Sequence, residues 1–353
     1  MALTSYSRRF NRKKVALGRA GGALYLAGCA SRFKRPGVTV YRGCALVTAR
    51  GLSHGLGFVP RGPLRIDPFM NKNSILLLTS VAMIAFAANS LLCRIALRNT
   101  GIDAASFTLV RIVSGALMLG LIVRLRGGDV ARHGNWPSSF ALFVYAAGFS
   151  FAYLSLSAAT GALLLFGAVQ TTMIGYGLWC GERLSPGQTA GLMFACAGLI
   201  VLMLPGLAAP PLRSALLMVA AGMAWGVYSL RGRGGSDPAA NTAGNFLRAL
   251  PFAGALSLAA HSGTVLDGAG IGYAIASGAL ASGLGYAVWY AVLPGLRAAN
   301  AATVQLSVPV IAALGGALFL GETMTPRLLL ASVAILGGIA MVIGGWRFGR
   351  RAA

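Results

Sequence analysis

GNWPSSFALFVYAAGFSFAYLSLSAATGALLLFGAVQTTMIGYGLWCG, residues 134–181, carries no charged side chain. A helix needs about 20 predominantly apolar residues to cross a bilayer. The 48 positions here hold two such helices, near 138–157 and 161–180, joined by the small residues around Ala158–Gly161. On the N-terminal side, Ile75–Cys93 supplies an uncharged span. Ala104–Val123 supplies another, interrupted only by Arg111. On the C-terminal side, Gly187–Leu204 is a fifth, closed by Pro205. Further apolar runs fall near 213–230, 240–260, 269–293, 299–320 and 327–345, so the expected fold is all-α and membrane-integral, with about ten transmembrane helices. The seventh run, with Asn245, Arg248 and Pro251, is the least regular.

The whole chain agrees with its centre. Apolar residues make up 56% and charged ones 10%, with mean hydropathy +0.72. Soluble domains carry about 25% charged residues, so a water-facing surface is excluded for most of the chain. The net charge of +23 invites a nucleic-acid partner, but its distribution argues against one. Residues 1–69 hold 13 of the 30 Lys+Arg and a single acid, Asp67. The remaining basic residues mostly flank apolar runs, as they do on membrane helices. Cys29, Cys44, Cys93, Cys180 and Cys196 lack CxxC spacing, and His54, His133 and His261 are scattered. Neither a disulfide frame nor a metal or cofactor site is expected.

An internal repeat organises the spans. Gly181-Glu182-Arg183-Leu184-Ser185-Pro186 resembles Gly321-Glu322-Thr323-Met324-Thr325-Pro326 at an offset of 140. FSFAYLSLSAAT from Phe149 parallels WYAVLPGLRAAN from Trp289 at the same offset. Ala85-Phe86 with Ser90-Leu91 parallels Ala224-Trp225 with Ser229-Leu230. The expected organisation is a basic extension (1–69), two five-helix repeats (74–204 and 211–345) and a basic tail (346–353). An odd number of spans per repeat inverts the second copy relative to the first, an architecture common among secondary transporters. With the N-terminus inside, eleven short-loop Lys and Arg residues are cytoplasmic and four (Arg94, Arg98, Arg213, Arg327) are outside. The positive-inside rule then puts both termini in the cytoplasm of an inner-membrane protein.

The paired Gly-Glu-x-x-Ser/Thr-Pro turns, Arg111 in the second span and the small-residue joints between spans three and four and spans eight and nine resemble the drug/metabolite transporter superfamily in its EamA-type branch. The resemblance covers roughly residues 74–345 and implies movement of small metabolites across the inner membrane. It leaves out residues 1–69, for which three readings compete. One is a mis-set start ahead of Met70. The others are a basic tail drawn to anionic lipid and an organelle transit peptide.

Candidate binding residues are those that lipid tolerates poorly. An Arg near a helix centre costs about 2.5–3.5 kcal/mol on insertion scales, which singles out Arg111 and Arg248. Each either meets an anionic or zwitterionic substrate group or is spent on snorkelling or on carbonyls at a helix break. Trp225 and Tyr228 lie i, i+3 on span six; Tyr286, Trp289 and Tyr290 lie i, i+3, i+4 on span eight, opposite Tyr145, Phe149 and Tyr153 on span three. These stripes either line a cavity or pack. Gln170, Asn89 and Gln305 are mid-membrane amides that bond between helices or contact substrate. Glu182 and Glu322 are either gating carboxylates or parts of helix boundaries, with Ser185 and Thr325 as N-caps and proline following. Gly187, Gly191, Ala195 and Gly198, and Gly337 with Gly338, are expected to pack helices closely.

No acid lies in the body of any span. That disfavours proton-coupled export of cationic drugs and favours a neutral, zwitterionic or anionic, amino-acid-like metabolite. The expected partners are the bilayer and a small-molecule substrate, with the proton as a candidate coupling ion. A sensor or scaffold without flux is the alternative. An intramembrane enzyme is a weaker one, because the apolar spans carry no GxSxG pattern (Gly148-Phe149-Ser150-Phe151-Ala152 lacks the final glycine) and HExxH is missing.

Overall fold

The computed structural model describes residues 16–20, 23–27, 71–181, 183–204, 209–232, 237–260, 267–293, 296, 301 and 304–349. The chain divides into two units, Met1–Pro60 and Arg61–Ala353. In the first, β1 (Ala16–Ala20) and β2 (Ala23–Ala27) pair antiparallel, Ala16 opposite Ala27 and Ala20 opposite Ala23.

Every described element of the second unit is helical. In order these are α1 (Lys72–Asn99), α2 (Ala104–Leu125), α3 (Trp136–Tyr153), α4 (Ala158–Trp179), α5 (Pro186–Met203), α6 (Leu212–Arg231), α7 (Pro238–Ala259), α8 (Gly268–Val292), α9 (Ser307–Leu320) and α10 (Pro326–Gly349). Among the described residues, α1, α2, α4, α5, α6, α8 and the Pro326–Ile343 part of α10 are long and apolar enough to cross a membrane; α9 is apolar but shorter. The two remaining helices have polar faces. α3 buries Ser138, Ser139 and Ser150, and α7 buries Thr242 and Asn245. Both faces point into protein, where mean hydropathy does not register their shelter.

The helix starts follow from side-chain chemistry. Asp103 accepts from the backbone N–H groups of Ala105 and Ser106, both at 2.9 Å. Asn135 accepts from Ser138 N at 3.0 Å and Ser157 from Thr160 N at 3.1 Å. Each side chain satisfies amide donors that the first helical turn leaves free. Ser157 opens α4 and so ends α3 at Tyr153, four residues short of the expected span. α1 runs past Cys93 to Asn99, which puts Arg94 and Arg98 on the helix rather than in a loop.

The repeated Gly-Glu turns also resolve into caps. Gly181 and Gly321 adopt left-handed φ of 89° and 62°, a conformation that a Cβ penalises and that commonly ends a helix. Ser185 and Gln188 then form a reciprocal capping box ahead of Pro186. Thr325 accepts from Leu328 N at 3.2 Å ahead of Pro326.

Helices of the first five pack chiefly on helices of the last five: α2 on α7 and α8, α3 on α6, α4 on α6 and α9, α1 on α8 and α9, and α5 on α10. The small-residue expectation holds at some positions only. A Cβ on Gly191 would lie 2.6 Å from the Gly338 carbonyl, and one on Gly198 2.9 Å from Ala334 and Ile335. Gly187 and Gly337 have open space beside them and do not take part.

Candidate functional site

Arg111, on the middle turns of α2, is 2% exposed and is the largest fully buried side chain described. Lipid cannot solvate it, so the surrounding helices do. Its guanidinium lies over two rings of α3, 5.2 Å from the centroid of Tyr145 and 4.8 Å from that of Phe149. Such contacts contribute about 2 kcal/mol when desolvated. Nη2 donates to Tyr145 Oη at 3.0 Å, whereas Nη1, also buried, has no partner.

The Tyr145 hydroxyl joins three helices. It also accepts from Asn89 Nδ2 on α1 at 3.4 Å, and Asn89 Oδ1 accepts from Ser277 Oγ on α8 at 2.6 Å. Ser277 lies in a nine-residue π-helical stretch, Ala276–Leu284, that interrupts α8. The wider turn brings α8 against α2. A Cβ on Gly278 would collide with the Ser114 hydroxyl and with the carbonyl of Arg111 itself. π-Helical turns inside α-helices are frequent at functional sites.

An aromatic wall continues from Tyr145. Trp225 of α6 lies 4.8 Å from it and is stacked between Tyr228, at 5.2 Å, and Tyr286, at 5.3 Å. Phe86 of α1 approaches Tyr286 at 5.5 Å and Trp289 at 6.2 Å. Tyr228, Thr242 and Tyr290 then bring their hydroxyls together at 3.2 Å, with Asn245 Nδ2 donating to Tyr228 at 3.4 Å. The structure thus groups Arg111, Trp225, Tyr228, Tyr286 and Trp289. Tyr145 and Tyr286 both lie against Trp225. Gln170 is buried on the turn of α4 that packs against Gly226, next to Trp225 in sequence.

Arg248 is placed elsewhere. Its guanidinium donates to the carbonyls of His133, Gly244 (3.1 Å) and Ala131 (2.9 Å). Asn245 Oδ1, one turn back on the same face, accepts from Asn135 N at 2.8 Å. A face of α7 therefore grips the α2–α3 connection, and Arg248 is spent on backbone rather than paired with Arg111. The Pro251 break contributes none of these carbonyls.

Glu322 is also placed by structure. Its carboxylate accepts from Ala158 N, at the start of α4, at 2.8 Å, and from Arg94 Nε at 3.4 Å. Arg94 in turn donates to the carbonyls of Tyr153 and Leu154 at 2.9 and 3.1 Å. This clamp ties α1, the α3–α4 joint and the α9–α10 turn at one end of the bundle. The α7 grip lies at the other end. Glu182, its counterpart in the repeat, lies outside the described residues. Sequence reasoning missed Arg94, Ser277 and Thr242. The first was read as a loop charge, and the other two are small hydroxyl residues like many others in the chain.

Comparison with known proteins adds the family. Residues 212–344 match the EamA-like transporter family. An uncharacterized protein of Pseudomonas aeruginosa is 60% identical over 278 residues, covering 78% of this chain and 96% of that protein. A solved crystal structure superposes with a TM-score of 0.55 at 19% identity, over 77% of this chain and 98% of the other, a likeness of fold alone.

Proposed function

The chain belongs to the EamA-like transporter family, and on that premise we propose that it is a secondary transporter exporting a small neutral, zwitterionic or anionic, amino-acid-like metabolite across the inner membrane. Arg111 carries the reading. It is a buried cation of α2 with an unpartnered Nη1, set against an aromatic wall to which α1, α3, α6 and α8 contribute. A charge that costs this much to bury marks a substrate path in membrane proteins.

Transport proceeds by alternating access. The two five-helix repeats are inverted copies with both termini in the cytoplasm, and substrate binds between them near the midplane. Arg111 is closed off at both ends. Glu322 and Arg94 clamp the outer end, and the α7 grip on the α2–α3 connection holds the inner one. Substrate entry requires one of these sets to part while the other holds.

The experiment is differential export. Cells expressing and lacking the protein are loaded with a panel of amino acids, nucleosides and organic acids, and hits are repeated in proteoliposomes. The expected result is faster efflux of a restricted group of solutes. A correctly inserted protein that moves none of them overturns the proposal.

A further inference from the structure

Two hydrogen-bond donors remain available at Arg111. Nη1 of Arg111 is a donor without a partner. Tyr145 Oη accepts from both Arg111 and Asn89, so its own hydrogen remains to be given. A carboxylate only accepts and matches this pair of donors; an ammonium only donates and does not. Charge gives the same answer. The seven acids of the chain are Asp67, Asp103, Asp129, Glu182, Asp237, Asp267 and Glu322, and none falls within a described helix. Glu322 is already engaged with Arg94 and Ala158 N. The titratable groups that face Arg111 are Tyr145, Tyr286 and Cys93. Among the described residues neither a carboxylate nor a histidine stands there to take up a proton, and the described helices contain no histidine.

We propose, building on the transporter reading above, that the site takes a monocarboxylate and carries it without a proton, so that each turnover moves one charge. A single cation neutralises a single negative charge. A phosphate monoester or dicarboxylate would bring a second negative charge with no partner, and a zwitterion would bring an ammonium with no carboxylate among the described residues to pair with it. The loaded site is neutral, and the empty site carries the charge of Arg111. A potential negative inside draws the empty, cationic site toward its inward-facing state, where it reloads from the cytoplasm. Net export of one monoanion per cycle is therefore driven by the membrane potential alone. The full potential acting on one charge is worth about 2.3 kcal/mol per 100 mV, a shift of roughly 50-fold in the equilibrium distribution.

The test uses the full chain in vesicles of phosphatidylethanolamine and phosphatidylglycerol, with potentials set by potassium and valinomycin and leakage subtracted from protein-free vesicles. Three labelled probes are compared: 2-hydroxy-4-methylpentanoate, leucine, which shares its skeleton but has an ammonium in place of the hydroxyl, and malate. The hydroxy acid is expected to move and the other two to stay. Its final outside/inside ratio should shift by roughly 50-fold per 100 mV and should not respond to a pH gradient at zero potential. Arg111→Gln should abolish this movement. Tyr145→Phe, which keeps the ring under the guanidinium, should slow it by about tenfold while the protein inserts normally. Transport that follows the pH gradient, or that carries leucine as readily, overturns the inference and leaves the transporter reading standing. So does failure of all three probes when every substrate that the wider panel finds is something other than a monocarboxylate. Failure of every solute in both experiments overturns the transporter reading, and this inference with it.

Discussion

Arg111 and Arg248 stand 137 residues apart, on α2 and α7, and their guanidiniums do opposite things. Three bonds to backbone carbonyls occupy Arg248, whereas Arg111 rests on two rings with one nitrogen uncommitted. Their substitutions should separate accordingly. Arg248→Gln strips charge-assisted bonds worth about 1.5–3 kcal/mol each from the α2–α3 connection. It should lower the thermal unfolding midpoint of the detergent-solubilised protein while leaving the affinity of the folded fraction unchanged. Arg111→Gln removes the cost of burying a cation, so the midpoint should hold or rise, while substrate affinity falls on the order of 10–100-fold. Tryptophan fluorescence reads the binding, since Trp225 lies against Tyr145. Equal loss of stability in both variants would refute the division. The sequence singles out both arginines by what lipid charges for them. It cannot say which of them finds carbonyls, because two of the three, those of His133 and Ala131, lie more than a hundred residues away in a connection with no motif.

At the scale of elements, two devices hold the site, and they differ in how far the sequence shows them. The caps are legible, since Ser185-Pro186 and Thr325-Pro326 announce helix starts and Gly181 and Gly321 the turns before them. The destination of Glu322 is not. The side chain reaches from the α9–α10 turn to cap α4 and pair with Arg94. A double-mutant cycle of Arg94→Gln and Glu322→Gln should show coupling of about 0.5–3 kcal/mol in unfolding free energy; strictly additive losses would mean that the pair contributes nothing. The π-helical stretch is likewise invisible to hydropathy, which reads 269–293 as one span. Gly278→Ala should force α8 off α2, because the added methyl meets the Ser114 hydroxyl and a backbone carbonyl that cannot yield. Overpacking of this kind costs about 1–3 kcal/mol. Gly272→Ala, on the same helix with open space beside it, should be neutral or slightly stabilising because it lowers the entropy of the unfolded chain. Unfolding midpoints of the two variants check this, and equal behaviour would rule out close α2–α8 contact at Gly278.

At the scale of the molecule, the repeat is legible because its turns recur at a fixed offset, but the partners of each helix are not. The strongest packing in the helical unit runs between the first five helices and the last five: α2 with α7, α3 with α6, α4 with α6 and α5 with α10. Within the first five, α1 and α2 barely touch and α3 meets α4 only at its end. The aromatic wall draws on both sides, with Tyr145 and Phe149 from one and Trp225 and Tyr286 from the other. A repeat by itself would keep the Tyr145 and Phe149 rings under Arg111 but would lose the Asn89–Ser277 bond, the contact of Tyr145 with Trp225 and the close backbone contact at Gly191. In a bilayer, helix association rests on packing and hydrogen bonds rather than on the hydrophobic effect, so no lipid-facing surface compensates for that loss. Expressed as two chains divided between Leu204 and Ala209, the halves should co-purify and regain substrate binding. Either half alone should be degraded or inserted without compact structure, as judged by protease resistance. A first half that resists proteolysis by itself would show that the packing across the halves is not what holds the fold.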